Sequence, residues 1–136
     1  MIVDEELKLW IKSDEGYSSK LYKDTTGKLT IGYGRNIEDE GIRPDEAELM
    51  FENDLKEAID DIDNFIWYIQ SPDSVKKALI NMSYNLGLKR LLSFRKMLKA
   101  IIDRNYTKAA LEALDSKWAK QVGSRAKDIA LMIRQG

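Results

Sequence analysis

The segment from residue 14 to residue 34 constrains the fold more than any other part of the chain. Its sequence is DEGYSSKLYKDTTGKLTIGYG, in which Gly16 is a stop signal for a preceding helix. The runs KLYKD and KLTIGYG predict two short strands, and the intervening Thr25, Thr26 and Gly27 predict the turn that joins them. A helix end followed by one hairpin is therefore expected in a chain whose other patterns are helical.

The register of this hairpin decides which side chains share a face. If Asp24 lies opposite Lys28, then Tyr22 lies opposite Thr30. Asp24 and Thr30 are then diagonal neighbours with backbones about 7–8 Å apart. A bulge at Gly27 would shift this register by one residue.

Three side chains of this segment suggest a chemical function. Glu15, Asp24 and Thr30 are spaced E-x8-D-x5-T, and Leu7, Ile11 and Glu15 are four apart, so that Glu15 extends an apolar stripe. An apolar face and the negative end of the helix dipole both favour a protonated carboxyl, whereas Asp24 lies at a polar turn. Two carboxyls in unlike environments are what glycoside hydrolysis requires. The alternative is that Glu15 only ends a helix and Asp24 only forms a turn.

The remainder of the chain has helical patterns. A long helix is expected from Pro44, a good first-turn residue, with an apolar stripe that continues to Ile66. Pro72 breaks this pattern and begins the next helix, which Gly87 ends. Further helices are expected at about 93–104, 107–115 and 124–135, with Thr107 and Ser124 as caps. The three tryptophans are expected in the core, with stacking on sugars as the alternative: Trp10, Trp67 and Trp118.

These patterns predict an α+β fold, predominantly α-helical, in a single domain over residues 1–136. A small β lobe is expected at about 16–43 and a connecting helix at about 44–67. The larger helical lobe comprises 68–136 together with helix 4–15, and a substrate cleft is expected between the lobes. The length suffices to bury a core without metal or disulfide staples.

The chain contains no histidine and no cysteine. Zinc amidases and cysteine–histidine peptidases need those residues, so both classes are excluded. A catalyst must instead use carboxylates, hydroxyls, amines or phenols. No metal and no cofactor is expected.

The charge is divided between the two halves of the chain. Residues 1–70 carry 8 Lys and Arg against 18 Asp and Glu, whereas residues 71–136 carry 14 against 5. A basic half suits the binding of an anionic polymer such as peptidoglycan or nucleic acid. The alternative is that the charges of the solvated helix faces differ between the halves by chance. The basic clusters, such as Lys76-Lys77, are too short to indicate nucleic-acid binding by themselves.

The motifs of this chain resemble those of the phage-type lysozymes, the muramidase family that includes the lysozyme of T-even coliphages. The resembling motifs are a helix that ends in D-E-G, then Y-K-D-T-x-G, then T-I-G-x-G. The resemblance continues in PDEAELMFENDL (44–55), ALINMSYNLG (78–87) and KWAKQVGSRAKD (117–128), and so covers nearly the whole chain. It implies a lysozyme-like fold in which the segment between Gly34 and Pro44 is shortened.

The resemblance also implies roles for individual residues. Glu15 matches the general acid, Asp24 the carboxylate that activates or positions water, and Thr30 the hydroxyl beside that water. Arg125 matches an arginine that pairs with the catalytic glutamate.

One position departs from the family pattern. Arg35 stands where the T-even relative has a histidine that pairs with an aspartate of the next helix. Asp54 occupies the position of that aspartate, so an Arg35–Asp54 ion pair is expected as the replacement.

Four further residues are candidates for contact with substrate. Tyr33 lies between two glycines and is expected to point into an open loop region. Asn81, Tyr84 and Asn85 lie beside the apolar stripe of their helix, where the resemblance favours hydrogen bonds to sugar amides and hydroxyls. A solvated helix face is the alternative for these three residues.

The function that the resemblance implies is a muramidase. It would hydrolyse the β-1,4 bond between N-acetylmuramic acid and N-acetylglucosamine in peptidoglycan, with inversion, in bacterial cell lysis. A lytic transglycosylase cleaves the same bond with one essential Glu and no hydrolytic water, and Asp24 and Thr30 at the family spacing argue against it. A non-enzymatic helical module that binds a polyanion would leave the hairpin motif unexplained.

The expected location and partners follow from the same resemblance. The N-terminus MIVDEELKLW lacks the basic start and apolar core of a signal peptide, and no apolar run approaches the roughly 20 residues of a membrane span. We therefore expect a monomer in the host cytoplasm before lysis, with a holin needed for its release to the periplasmic cell wall. Peptidoglycan is the expected partner, with no nucleic acid and no stable membrane insertion.

Overall fold

The computed structural model describes residues 2–136 and divides the chain into two compact units, one that ends at Leu49 and one from Met50 to Gly136. The strands are β1 (Ser18–Lys23), β2 (Leu29–Gly32) and β3 (Arg35–Asn36). The helices are α1 (Glu5–Glu15), α2 (Ile37–Glu40), α3 (Pro44–Ile62), α4 (Ile66–Ile69), α5 (Asp73–Leu86), α6 (Leu88–Leu92), α7 (Arg95–Ile102), α8 (Tyr106–Leu114), α9 (Lys117–Val122) and α10 (Ser124–Arg134). The predicted α+β fold, mostly helical, is confirmed.

The first unit contains α1 and one antiparallel sheet of strand order β1-β2-β3. Tyr22 lies opposite Thr30, and the N–H of Asp24 donates to the carbonyl oxygen of Lys28 at 2.9 Å, so the predicted hairpin register is confirmed. The irregularity in this pairing lies between Ser18 and Tyr22, and the turn at Gly27 keeps the register.

The sheet has a third strand that the sequence analysis missed. β3 is only two residues long, and it pairs Asn36 with Thr30 and Arg35 with Ile31. Asn36 also begins α2, because its side chain accepts a hydrogen bond from the N–H of Asp39 at 3.0 Å. A two-residue strand followed by a one-turn helix has no periodicity from which it could be recognised.

Helix α1 begins and ends where the sequence predicts, but its apolar residues are not covered. The side chain of Asp4 accepts from the N–H of Leu7 at 3.0 Å and so caps the helix. No residue of α1 is buried, and Ile11 and Trp10 are 50% and 65% exposed. The apolar stripe that Glu15 continues is therefore not buried, and the prediction that Trp10 belongs to the core is wrong.

The core of the second unit lies among its helices. Its largest fully buried side chains come from α3, α5, α6, α7 and α10: Ile62, Val75, Leu79, Met82, Leu91, Met97, Ile101 and Ile133. Trp67 and Trp118 are buried in the same cluster, as predicted. The hydroxyl of Ser83 donates to the carbonyl oxygen of Ala58 at 2.9 Å and ties α5 to α3.

Several predicted helix boundaries differ from the structure. The helix from Pro44 ends at Ile62 instead of 67, and α6 and α9 were not predicted. The side chain of Asn105 caps α8 in place of Thr107. Ser124 is the first residue of α10, which follows Gly123 and has no side-chain cap. Short helices and their caps depend on packing within the unit, which local sequence reports poorly.

The division into units assigns α1 to the part of the chain that contains the sheet. The sequence analysis grouped helix 4–15 with the helical lobe, and that grouping, like the predicted cleft, stays a prediction. No helix among the described residues combines the length and the apolar character that crossing a membrane requires.

Candidate active site

The carboxylate of Glu15 stands at the end of α1, where the chain turns into the hairpin. Gly16 ends the helix with φ +72°, and its N–H donates to the carbonyl oxygen of Lys12 at 2.8 Å. Glu15 is exposed and lies in an open depression of about 260 Å³, which Gly16, Tyr17, Ser18 and Tyr22 also line. The acid that the sequence predicts is thus accessible to a ligand.

Gly34 lies directly against this carboxylate. A Cβ atom added at Gly34 would be 3.1 Å from Cδ of Glu15 and 3.5 Å from its Cβ, and it would overlap an oxygen of the carboxylate. Gly34 also has φ +81°, a conformation that L side chains rarely adopt. The turn between β2 and β3 therefore approaches the Glu15 carboxylate with a residue that has no side chain.

Asp24 is held at the hairpin turn by one of its two oxygens. Oδ1 accepts from the N–H of Thr26 at 2.8 Å, from the hydroxyl of Thr26 at 2.8 Å and from the N–H of Lys28 at 2.9 Å. These donors lower the pKa of Asp24, with the Lys28 N–H as the largest cause and the Thr26 hydroxyl next. Oδ2 has no hydrogen-bond partner within residues 2–136.

Thr30 is buried on β2, with 2% of its surface exposed. Its hydroxyl donates to the carbonyl oxygen of Lys28 at 2.9 Å. Asp24 accepts the N–H of that same residue, so Lys28 connects Asp24 and Thr30 through its two backbone groups. Because its hydrogen is engaged, the Thr30 oxygen can only accept a hydrogen bond from a further group.

The structure corrects the predicted Arg35–Asp54 ion pair. Both terminal nitrogens of the Arg35 guanidinium contact the carboxylate of Glu46, which also accepts the N–H of Arg43 at 2.8 Å. The hydrogen bond from Arg35, followed by that from Arg43, lowers the pKa of Glu46 to about 2, and Glu46 raises the pKa of Arg35. Glu46 lies in the first turn of α3, which is nearer along the chain to β3 than Asp54 is.

Arg125 and Asn81 form a contact within the second unit. Oδ1 of Asn81 accepts from Nε of Arg125 at 3.0 Å and from Nη2 at 2.7 Å, which fixes the guanidinium from one side. The two residues line a groove of about 300 Å³ together with Phe51, Leu55, Lys77, Ile80 and Tyr84. Asn81 was a candidate for hydrogen bonds to sugar, with a solvated helix face as the alternative, and its amide oxygen here binds an arginine.

Tyr84 and Asn85 are both exposed on α5 but have different neighbours. The ring of Tyr84 packs on Phe51 with centroids 5.6 Å apart and stays accessible in the groove. Oδ1 of Asn85 accepts from the indole N–H of the buried Trp118 at 2.7 Å. Asn85 therefore accepts the hydrogen bond of a buried core residue, a role that the sequence analysis missed.

Two tyrosines that line the depression, Tyr17 and Tyr22, were not selected by the sequence analysis. Tyr33, a predicted substrate contact, is 49% exposed and pairs with Tyr17 at a centroid distance of 5.4 Å. Tyr17 follows Glu15 by two residues, and that proximity was the available signal. Nothing in the sequence indicated the contact between Gly34 and Glu15, because a glycine in a turn is ordinarily explained by its backbone conformation.

Residues 12–135 match the family model described as phage lysozyme. The "Probable T4-type lysozyme 2" of Dictyostelium discoideum is 29% identical, over 96% of this chain and 94% of its own length. The "Probable T4-type lysozyme 1" of the same organism is 28% identical with the same coverage. The "Pre-baseplate central spike protein Gp5" of Enterobacteria phage T4 is 28% identical over 93% of this chain, which spans 27% of the spike protein.

Proposed function

We propose that this chain, which belongs to the phage lysozyme family of glycoside hydrolases, hydrolyses the β-1,4 bond between N-acetylmuramic acid and N-acetylglucosamine in peptidoglycan. Membership of the family confirms the resemblance that the motifs predicted, and it makes the chain a lysozyme-type enzyme. The residue roles, the stereochemistry and the biological setting are proposals.

One observation of the first unit carries the proposal. The two carboxyls at the family spacing have different environments: Glu15 is exposed in an open depression, whereas Oδ1 of Asp24 is fixed by three donors that lower its pKa. A glycosidase needs one carboxyl that gives a proton and one that stays ionised. The hydrogen bonds at the turn supply the second kind.

Glu15 is the proposed general acid. It donates its proton to the glycosidic oxygen as the bond to the anomeric carbon breaks, so that the sugar leaves as a neutral alcohol. The depression leaves room for the substrate on this side of the carboxyl, and Gly34 presents only backbone there.

Asp24 and Thr30 orient the attacking water. Water gives one hydrogen to Oδ2 of Asp24, the oxygen that the turn does not use, and the other to the Thr30 oxygen, whose own hydrogen is donated to Lys28. Its lone pair then faces the anomeric carbon, and Asp24 takes the proton as the bond forms. Attack by water on the face opposite the leaving group inverts the configuration.

Arg125 is proposed to pair with Glu15, as the family resemblance implies. Asn81 would then act through Arg125 as a positioning residue, because its amide oxygen engages two nitrogens of the guanidinium. The groove beside Arg125, with the exposed ring of Tyr84, is a proposed sugar-binding surface of the second unit.

The proposed setting is bacterial cell lysis by a monomeric phage or prophage endolysin. The protein would accumulate in the host cytoplasm and reach the periplasmic cell wall after holin-dependent release. Similarity to the T4 spike protein shows that this kind of domain also occurs in a longer chain.

Digestion of purified cell walls tests the proposed reaction. Mass analysis of the fragments should show reducing N-acetylmuramic ends that carry one added water, and NMR of the nascent ends should show the α anomer first. Anhydro-muramic ends would overturn hydrolysis and establish the transglycosylase. A β anomer would overturn inversion and assign Asp24 the role of nucleophile.

A further inference from the structure

Tyr17 and Tyr33 form one aromatic surface beside Glu15. Their ring centroids are 5.4 Å apart and their planes are inclined by 46°, within the range of favourable aromatic pairs. Nζ of Lys12 lies 5.1 Å from the Tyr33 centroid, close enough for a cation–π contact. Tyr17 thus packs against the ring of Tyr33, which is in turn contacted by Lys12.

Both rings remain open to a ligand. Tyr17 is 68% exposed and Tyr33 is 49% exposed, so their contact leaves most of the Tyr17 surface uncovered. Tyr17 also lines the depression that contains Glu15. A tilted aromatic pair with this exposure contributes little to a core, whereas it suits a binding surface.

The chain connectivity keeps this surface near the Glu15 carboxylate. Tyr17 is two residues beyond Glu15, and Tyr33 precedes Gly34, whose backbone lies against the Glu15 carboxylate. Both rings are therefore attached to chain segments that touch the acid. A sugar that stacks on Tyr17 would place a neighbouring glycosidic oxygen near Glu15.

The chemistry of the rings selects a carbohydrate. A pyranose ring has an apolar face of C–H groups that packs on an aromatic ring, while the phenol hydroxyl of tyrosine can bond to the polar groups at the sugar's edge. β-1,4-linked amino sugars are equatorially substituted and present such flat faces. The bases of a nucleic acid can also stack on aromatic rings, but its phosphates would meet the exposed carboxylates of Asp14 and Glu15.

We propose that Tyr17 and Tyr33 form a sugar-stacking subsite beside the bond that Glu15 protonates. Tyr17 contacts a pyranose ring of an N-acetylated amino-sugar strand, and Tyr33, held by Lys12, supports Tyr17 from behind. The subsite rests on the proposed function for its substrate class, but its binding energy is separate from the chemical step.

Binding and turnover of peptide-free glycan strands test the subsite. Loss of one stacked ring should raise KM about five- to tenfold in Tyr17→Ala, with kcat changed less than about twofold. Tyr17→Phe should recover most of this loss because it keeps the ring. Lys12→Met should raise KM about twofold, whereas Lys8→Met, one turn earlier on α1 and paired with Glu5, should not raise it.

A second measurement separates the subsite from the reaction. Strands should bind Glu15→Gln protein about five- to tenfold more tightly than they bind the Glu15→Gln, Tyr17→Ala double variant. Equal affinities, or a Tyr17→Ala effect on kcat alone, would overturn the subsite even if the walls are cut. Weakened binding with no cleavage by the wild type would support the subsite and overturn the proposed function.

Discussion

The backbone of Gly34 and the carboxylate of Glu15 are in van der Waals contact. A Cβ atom at position 34 would be 3.1 Å from Cδ of Glu15, closer than nine in ten real Cβ contacts. The residue that follows the T-I-G-Y part of the motif thus limits where the proposed acid can stand. A glycine here is needed for the space it leaves as well as for its backbone conformation.

Gly34→Ala is expected to displace the carboxylate and to lower the activity about 100-fold, the scale of loss for a misplacement of about 1 Å. The substitution should also cost about 1–2 kcal/mol of unfolding free energy, because alanine is strained at φ +81°. Wall-clearing rates and urea denaturation of the same preparations measure the two effects.

Gly32→Ala provides the matched control. Gly32 has φ +70° in the same motif, but a Cβ atom there would meet nothing within 4 Å. It should lose a similar amount of stability, about 1–2 kcal/mol, and keep most of the activity. Equal losses of activity in the two variants would show that backbone strain, and not contact with Glu15, is the cause.

The fold class and the hairpin could be predicted because their signals are local. The turn residues before Lys28 and the alternation around Thr30 specify one register, and the structure has that register. The apolar face of α1 misled the sequence analysis, because periodicity shows that a face is apolar and not that it is covered. Trp10 of this helix was predicted in the core because of its apolar spacing, and it is exposed.

The partners of charged side chains were the least predictable part of the site. Glu46 and Asp54 lie on one helix, and the choice between them depends on where β3 ends, which is a tertiary property. The sequence analysis selected Asn81 as a candidate for contact with substrate, but not its contact with Arg125, which is 44 positions away. No local pattern reports a contact at that separation.

The Arg35–Glu46 pair should make the stability of the protein sensitive to acid. The pKa of Glu46 is lowered to about 2, so the folded state binds fewer protons than the unfolded state just above that value. The stabilisation of the folded state by the ionised Glu46 is present above about pH 4.5 and is lost as the pH falls to about 2. Glu46→Gln should therefore be less stable near neutral pH and should show a shallower loss of stability over this window.

Asp54→Asn tests the correction directly. It removes the carboxylate that the sequence analysis assigned to Arg35, and it should keep the wild-type slope of unfolding free energy against pH. A wild-type slope in Glu46→Gln together with a shallower slope in Asp54→Asn would restore the predicted pair.

Asp24 has two separable functions, which Asp24→Asn should distinguish from Asp24→Ala. Asparagine keeps an oxygen that can accept from Thr26 and Lys28, so the hairpin should remain folded, but it cannot take a proton from water. Activity should fall at least about 100-fold in both variants, and only alanine should lower the melting temperature clearly. Full activity in Asp24→Asn would remove Asp24 from the mechanism.

Asn81→Ala should lower kcat about tenfold and change KM little, because it frees the Arg125 guanidinium without altering its charge. Asn105→Ala is the matched control, because it also removes an amide side chain. Asn105 caps α8, so this substitution should cost about 1 kcal/mol of stability without loss of activity. A rise in KM alone for Asn81→Ala would indicate that Asn81 contacts sugar, as first predicted.

The most direct test of the central claim is the activity of Glu15→Gln on purified cell walls, measured together with its melting temperature. Glutamine is nearly isosteric but has no acid proton to give the leaving oxygen, so no reducing ends should be released while the melting temperature stays that of the wild type. Asp14→Asn, the adjacent exposed carboxylate of α1, serves as the control and should release reducing ends at the wild-type rate. Release of reducing ends by folded Glu15→Gln at a rate near that of the wild type would contradict the assignment of Glu15 as the catalytic acid.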